Sequence, residues 1–396
     1  MLKIFFHSEC SFYAGSERIL FLIINEVCNI PDVEVTFSYK KNTSYDIAAR
    51  NNLNKKVKLK SIIKPFSESR DTRTRTYIFK AIIDRILFRL GLINEIFQFY
   101  KYLKQNKPDI LHVNNGGFPG ARSARAAAIA GKIAGVKQVI MVVNNLASPH
   151  NSFSRILDIP VDLVLFNCVH IFVTGSKRAQ KQLKEISFGR AKLISIPNCS
   201  TDGVVNDEDM FNWLLNLKEE KLVMGVFGQL IARKGHKFLL EGLSLLKEED
   251  WICLFVGSGE LRPQLSQRVT ELGLGESVIL VENNDNYKNL MRLCDIIIQP
   301  SLENEDFPLT VVEALSLGKP VIGSDVGGIS EQLNYGQAGI IVQPGNSHEL
   351  CSQIRNLIEN VELRRRLSTN AIEHFDKNYT RSKVLKQYFD LYKIKI

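Results

Sequence analysis

Two glutamates with seven residues between them, Glu305 and Glu313, and a cationic pair, Arg233-Lys234, are the groups in this 396-residue chain best suited to a charged, hydroxylated ligand. A carboxylate accepts hydrogen bonds from hydroxyls, and a guanidinium or ammonium neutralises phosphate oxygens. A sugar nucleotide offers both partners, because it carries hydroxyls on either side of a diphosphate. Taken alone, two such glutamates would be solvated residues at a helix start, favoured there by the macrodipole. Their surroundings argue for a site.

The elements that must position these groups follow from the pattern around them. Ile296-Ile297-Ile298 predicts a buried strand, ended by Pro300 and Ser301. An acidic loop follows (Glu303, Glu305, Asp306), and Pro308 opens a helix with Leu309, Val312, Leu315 and Leu317 on its buried side. Lys319-Pro320 closes that helix, and Val321-Ile322 begins the next strand. The result is a βαβ unit whose loop and helix N-terminus lie at the carboxyl end of a strand, where nucleotides and phosphates sit in open α/β sheets. Strand Lys221–Phe227 and the turn Gly228–Gly235 form a second βα turn, which carries Gln229, Arg233 and Lys234. Strand Ile252–Val256 ends in a third, Gly257-Ser258-Gly259-Glu260. The third glycine of GxGxxG is absent, so this is no dinucleotide fingerprint.

The segment from Pro300 to Ile322, with Glu305, Phe307, Pro308, Glu313 and the following Gly327-Gly328-Ile329-x-Glu331, resembles the donor-site signature of family 4 retaining glycosyltransferases. The likeness runs over nearly the whole chain. It implies the GT-B fold, two Rossmann-like domains with parallel sheets facing across a cleft. It also implies a division of roles. Glu305 would bind hydroxyls of the donor sugar and Glu313 the ribose. Lys234 would grip the diphosphate, with Arg233 replacing the arginine expected at Gln229. Gly257 and Ser258 would lie near the nucleotide, and the backbone of Phe307, Pro308, Leu309 and Thr310 would assist at the leaving phosphate. The Ala14-Gly15-Ser16-Glu17 turn resembles the family's GGxE loop, with Gly15 permitting close approach of a ligand. Asn144 stands where many members have a histidine that touches the donor sugar. An amide there can hydrogen-bond but cannot act as acid or base. Asp306 and Cys199 replace usual glycines.

Length and composition agree with two full cores, since 396 residues at 45% hydrophobic content exceed one ordinary domain. No run of 18 uncharged apolar residues exists, and MLKIFFHSEC reads as a first strand without cleavable-signal architecture. The expected location is therefore the cytoplasm, with peripheral attachment to the inner face of the plasma membrane as a further option. Seven scattered cysteines read as free thiols. The net charge of +9 is concentrated: residues 50–107 hold 15 Lys/Arg against 4 Asp/Glu. Such a block suits an anionic membrane surface. No zinc finger or RNA-binding aromatic motif accompanies it, so nucleic acid is not expected.

Within the first half, Ile4-Phe5-Phe6 predicts a strand and Ile19 to Val27 a helix. Residues 50–76 read as an irregular basic loop with Arg70, Arg73 and Arg75. Tyr77–Lys104 reads as two helices divided by Gly91, either covering the core or docking on a membrane interface. A strand at Ile110–Val113, a loop through Gly120, an alanine-rich helix Ala121–Ala134 and a strand Gln138–Val143 follow. His112 and His150 are expected to be structural. Asp207-Glu208-Asp209 fits a metal-binding DxD formally, but it lies in a linker and not at a strand end.

The expected domains are 1–198, a linker 199–220, a donor domain 221–380 and a C-terminal helix 381–396 that crosses back. The resemblance implies a retaining, metal-independent enzyme with no cofactor. It would move a sugar from a nucleotide-diphospho-sugar to a saccharide or lipid-linked acceptor, in cell-surface polysaccharide, lipopolysaccharide or glycolipid assembly. An epimerase or phosphorylase on the same fold, or a non-catalytic partner subunit, remain alternatives.

Overall fold

The computed structural model describes residues 1–10, 13–40, 43–62, 77–201, 221–246, 250–282 and 287–394. The chain divides into two compact units, one of residues 1–196 with 387–396 and one of residues 197–386. The first is built on a seven-stranded sheet of β1 (Leu2–Ser8), β2 (Val33–Tyr39), β3 (Lys58–Lys60), β4 (Ile110–Asn115), β5 (Gln138–Val143), β6 (Ile171–Thr174) and β7 (Leu193–Ser195). Their order is β3-β2-β1-β4-β5-β6-β7, and every pairing is parallel. Strands buried on both faces explain the near-continuous apolar runs in the sequence. Phe5, Leu111, Val113, Val139, Met141 and Phe172 share one core. Their neighbours Ile4, Phe6, Ile110 and Ile140, on the other face by period 2, are equally buried.

The second unit repeats the scheme with β8 (Leu222–Phe227), β9 (Trp251–Val256), β10 (Val278–Val281), β11 (Ile296–Gln299), β12 (Val321–Ser324) and β13 (Ile340–Val342). They are ordered β10-β9-β8-β11-β12-β13. The alternation is clear here too: Val223, Ile252, Leu254, Ile297 and Val321 enter one core, and Met224, Cys253, Phe255, Ile296, Ile298 and Ile322 the other. In each sheet the strand order reverses between two central strands, β1/β4 and β8/β11. The loops at those carboxyl ends are the natural ligand position.

Three expectations change. Gly91 does not divide two helices, because Tyr77–Asn106 is one helix of 30 residues. The glycine is buried, and a Cβ there would stand 2.6 Å from the Arg122 guanidinium, so it permits close packing and does not break the helix. Residues 50–60 are not irregular: the helix Thr43–Asn52 ends there and β3 begins at Lys58. The alternating Lys58-Leu59-Lys60 is a short edge strand whose charges discourage further pairing. The last helix ends at Leu391. Near it, the Leu391 carbonyl accepts from Gln138 Nε2 at 3.0 Å, and the Tyr392 hydroxyl lies 2.7 Å from His112 Nδ1. Burial pushes the His112 pKa down to about 3, and His150 lies 3.0 Å from Asp162, so both histidines are taken up in packing. Arg70, Arg73, Arg75, Asp207-Glu208-Asp209 and nearly all of the 199–220 linker lie outside the described residues.

Candidate active site

The turn after β11 and the turn after β8 meet at Glu305. The Lys234 ammonium lies 2.5 Å from its Oε1 and Arg233 Nη1 donates to the same oxygen at 2.8 Å. Ser301 Oγ donates to Oε1 as well, at 3.1 Å, and is itself bound by Gln299 Nε2 at 2.8 Å. Three side chains from two turns therefore converge on one carboxylate oxygen. Among the described residues Oε2 has no such partner. Glu305 is nearly buried, with 5% of its surface exposed, so the remaining acceptor lies in a restricted opening.

Backbone contacts fix this meeting. Leu302 N–H donates to the Arg233 carbonyl at 2.8 Å, tying the two turns. Gly235 has φ +73°, and a Cβ there would fall 1.9 Å from the Pro300 carbonyl oxygen. Gly327, φ +55°, would place a Cβ 1.5 Å from the Glu305 carbonyl oxygen. Only glycine satisfies both demands at these positions. The Gly327-Gly328 pair therefore supports the Glu305 loop, and Gly328 N–H also donates to the Asp306 carbonyl at 2.7 Å.

Glu313 stands on the helix Leu309–Ser316 and is 1% exposed. The Tyr287 hydroxyl lies 2.8 Å from each of its oxygens. Lys288 Nζ is 3.2 Å from Oε1, and Thr201 Oγ1 donates to that oxygen at 3.3 Å. This is a buried, paired charge. Removing the carboxylate leaves Lys288 uncompensated, a loss of about 3–5 kcal/mol in such settings. Neither Tyr287, Lys288 nor Ser301 was singled out by spacing. Ser301 lies within the signature, four residues before Glu305, but a serine ending a strand gives no further signal.

The remaining expected residues are distributed as follows. Gln229 is half-buried in the turn after β8, and its carbonyl accepts from Ile231 N–H at 3.0 Å. Gly257 is buried beside the Gly228 backbone, and the carbonyl of exposed Ser258 accepts from Leu230 N–H at 2.9 Å. The Phe307 ring packs edge-on against Tyr379 at 5.4 Å, so its side chain serves the core. Pro308 caps the helix and its carbonyl accepts from Gln332 Nε2 at 2.9 Å. Leu309 is buried, and Thr310 Oγ1 donates to the Phe227 carbonyl at 3.4 Å. The first amides of that helix have no partner within it, as at any helix start.

In the first unit, Gly15 opens the helix Gly15–Cys28 and Asn144 follows β5. A chain of polar groups runs from Asn144 to Glu17, two residues after Gly15. Asn144 Nδ2 donates to the Asn115 carbonyl at 3.0 Å and to Asn114 Oδ1 at 2.9 Å. A backbone carbonyl only accepts, so the Asn144 amide orientation is fixed by chemistry. Asn114 must then present Nδ2 to Glu17 Oε1, at 3.1 Å, and Ser8 Oγ donates to the same oxygen at 3.2 Å. Burial raises the Glu17 pKa above the ordinary carboxylate range. Both hydrogens of the Asn144 amide are thus used internally, which leaves Oδ1 as the group it can offer outward. Glu17, Ser8 and Asn114 were not marked as functional by the sequence, though Glu17 is the last residue of the Ala14–Glu17 turn.

Residues 207–374 match the family described as glycosyl transferases group 1. An N-acetyl-alpha-D-glucosaminyl L-malate synthase from Bacillus anthracis is 30% identical over 148 residues, 37% of this chain and 39% of that protein. A UDP-Gal:alpha-D-GlcNAc-diphosphoundecaprenol alpha-1,3-galactosyltransferase from Escherichia coli is 24% identical over 280 residues, 67% of this chain and 70% of that protein. Several other curated relatives are matched over less than half of their length. Anabaena HepE, solved in complex with UDP, superposes with a TM-score of 0.77 at 20% identity, covering 99% of this chain and 100% of that one. At that identity the likeness defines the fold, which is GT-B with two Rossmann-like domains. Residues 207–374 are thus similar to the glycosyl transferases group 1, and the resemblance to family 4 is consistent with every one of these findings.

Proposed function

We infer that the protein transfers a sugar from a nucleotide-diphospho-sugar to a hydroxyl acceptor, with retention and without a metal. The observation that carries this reading is the asymmetry of Glu305. One of its oxygens is held by two cations and a hydroxyl, and the other is left to accept from a sugar hydroxyl. The pair of cations outweighs the carboxylate by one charge, which favours a diphosphate beside it. In the proposed reaction Lys234 and Arg233 turn toward the diphosphate as negative charge develops on the leaving oxygen. The amides around Leu309 and Thr310 add a helix N-terminus to that field. The acceptor hydroxyl attacks from the leaving-group face and passes its proton to the departing phosphate. Glu313 receives the ribose, where a diol takes the place of the Tyr287 hydroxyl. Asn144 accepts from a ligand hydroxyl and does no proton transfer.

The E. coli relative named for a diphosphoundecaprenol substrate and HepE with its UDP support a nucleotide-sugar donor and a lipid-linked acceptor. A role in cell-surface polysaccharide, lipopolysaccharide or glycolipid assembly follows from that acceptor. The test is turnover of a sugar-nucleotide panel in the presence of EDTA, with the product anomer read by NMR. The reading expects nucleoside diphosphate release, unchanged by EDTA, and an α product from an α donor. An inverted product, or activity abolished by EDTA and restored by divalent metal, would overturn the mechanism.

A further inference from the structure

The helix Tyr77–Asn106 carries an outward face that the fold does not use. Leu92, Phe99 and Leu103 are buried in the first core, and Glu95 is held inward by Arg122 at 2.9 Å. The opposite face presents Leu90, Ile93 and Phe97 at 53%, 63% and 63% exposure. At 100° per residue these three fall within one 60° sector, and Lys101 and Lys104 continue the same stripe toward the C-terminus. Arg89, Lys101, Lys104 and Lys107 are all exposed. From residue 88 to residue 107 the sole acid is the buried, paired Glu95, so the outward charge of this stretch is entirely positive. The Arg89 guanidinium donates to the Leu157 carbonyl at 3.0 Å. That contact brings the short helix Phe153–Ile156 alongside, with Phe153 73% and Ile156 50% exposed.

Exposed large apolar side chains in a row on one helix, bordered by cations with no acid between them, are costly in water and fit an interface with an apolar layer beneath an anionic one. We propose that Leu90, Ile93 and Phe97, flanked by Arg89, Lys101, Lys104 and Lys107, form a surface that docks on a membrane bearing anionic lipid. The apolar residues enter the headgroup boundary and the lysines meet the lipid charges. Among the described residues no helix is long and apolar enough to cross a membrane, so the attachment lies on the surface. Docking of this surface does not depend on the transfer chemistry.

Flotation of the full chain with phosphatidylcholine vesicles, and with vesicles containing about a quarter phosphatidylglycerol, tests the idea. The expected result is partition onto the anionic vesicles only, weakening as salt rises. Lys101→Glu/Lys104→Glu should lower that partition by at least about fivefold per lysine. Leu90→Ser/Ile93→Ser/Phe97→Ser should lower it at least about tenfold, with circular dichroism and Tm unchanged. Because these side chains are exposed, the fold does not depend on them, and the lysine variant checks the surface independently. Failure of the wild type to float with anionic vesicles, or partition of both variants equal to that of the wild type, would overturn the proposal. So would a concentration-dependent dimer that the triple serine variant dissociates, which would make the stripe a contact between copies.

Discussion

The two units share a sheet plan and differ in the chemistry at their switch points. In the second unit, charges converge: Lys234 and Arg233 close on Glu305, and Lys288 closes on Glu313. In the first, the corresponding strand ends carry amides and hydroxyls, Ser8, Asn114 and Asn144, around a buried Glu17 whose pKa is raised. Cations stabilise a departing diphosphate, and neutral groups of fixed polarity discriminate among hydroxyls. In the proposed reaction the second unit neutralises charge, and the first unit offers amides and hydroxyls.

The contrast is broken or sharpened by substitution. The largest effect is expected from Lys234→Ala, a fall in kcat of about 10³-fold at nearly constant Tm, because it removes a cation from the developing charge. Activity close to wild type would abolish the distinction between the units. Gly327→Ala should follow at about 10²-fold, since its Cβ displaces the loop that carries Glu305. Ser301→Ala withdraws one donor from Oε1 and should cost about tenfold in kcat/KM, with Ser301→Thr partly restoring it. In the first unit Asn114→Leu should reduce stability by about 1–3 kcal/mol, seen as a lower Tm, because Glu17 and Asn144 lose a shared partner.

The smallest expected effect concerns pH. His7 is fully buried, donating from Nδ1 to the Ser38 carbonyl and accepting at Nε2 from Ser123, and burial lowers its pKa to about 4. The unfolded histidine takes up its proton near 6.5. The folded state is therefore at full advantage above that value and loses stability as pH falls toward 4. His112 acts with the same sign. A pH series of melting curves should show this slope, and His7→Gln should flatten part of it.

Much of the second unit was legible because its signature is contiguous. The strand, loop and helix from Ile296 to Ser316 follow from an apolar run, a Pro-Ser stop and a Pro start. Glu305 and Glu313 then fall at fixed places on that frame. The partners of those glutamates were not legible. Tyr287 and Lys288 come from another helix, and only the fold brings them to Glu313. Gly91 misled for a physical reason: a glycine within a helical pattern signals either a break or a close contact, and sequence does not separate the two. The Asn144 orientation was also beyond spacing, since it is set by a carbonyl on the neighbouring strand.

The central claim is most directly tested by titrating wild type, Lys234→Ala and Glu305→Gln with UDP-, GDP-, ADP- and dTDP-sugars and with the corresponding nucleoside diphosphates by calorimetry. One nucleotide series should bind the wild type. Lys234→Ala should weaken both the diphosphate and its sugar conjugate. Glu305→Gln should weaken the conjugate more than the diphosphate, because only the conjugate reaches its open oxygen. Equal affinities across all three proteins, or no binding of any member of the panel, would contradict the account.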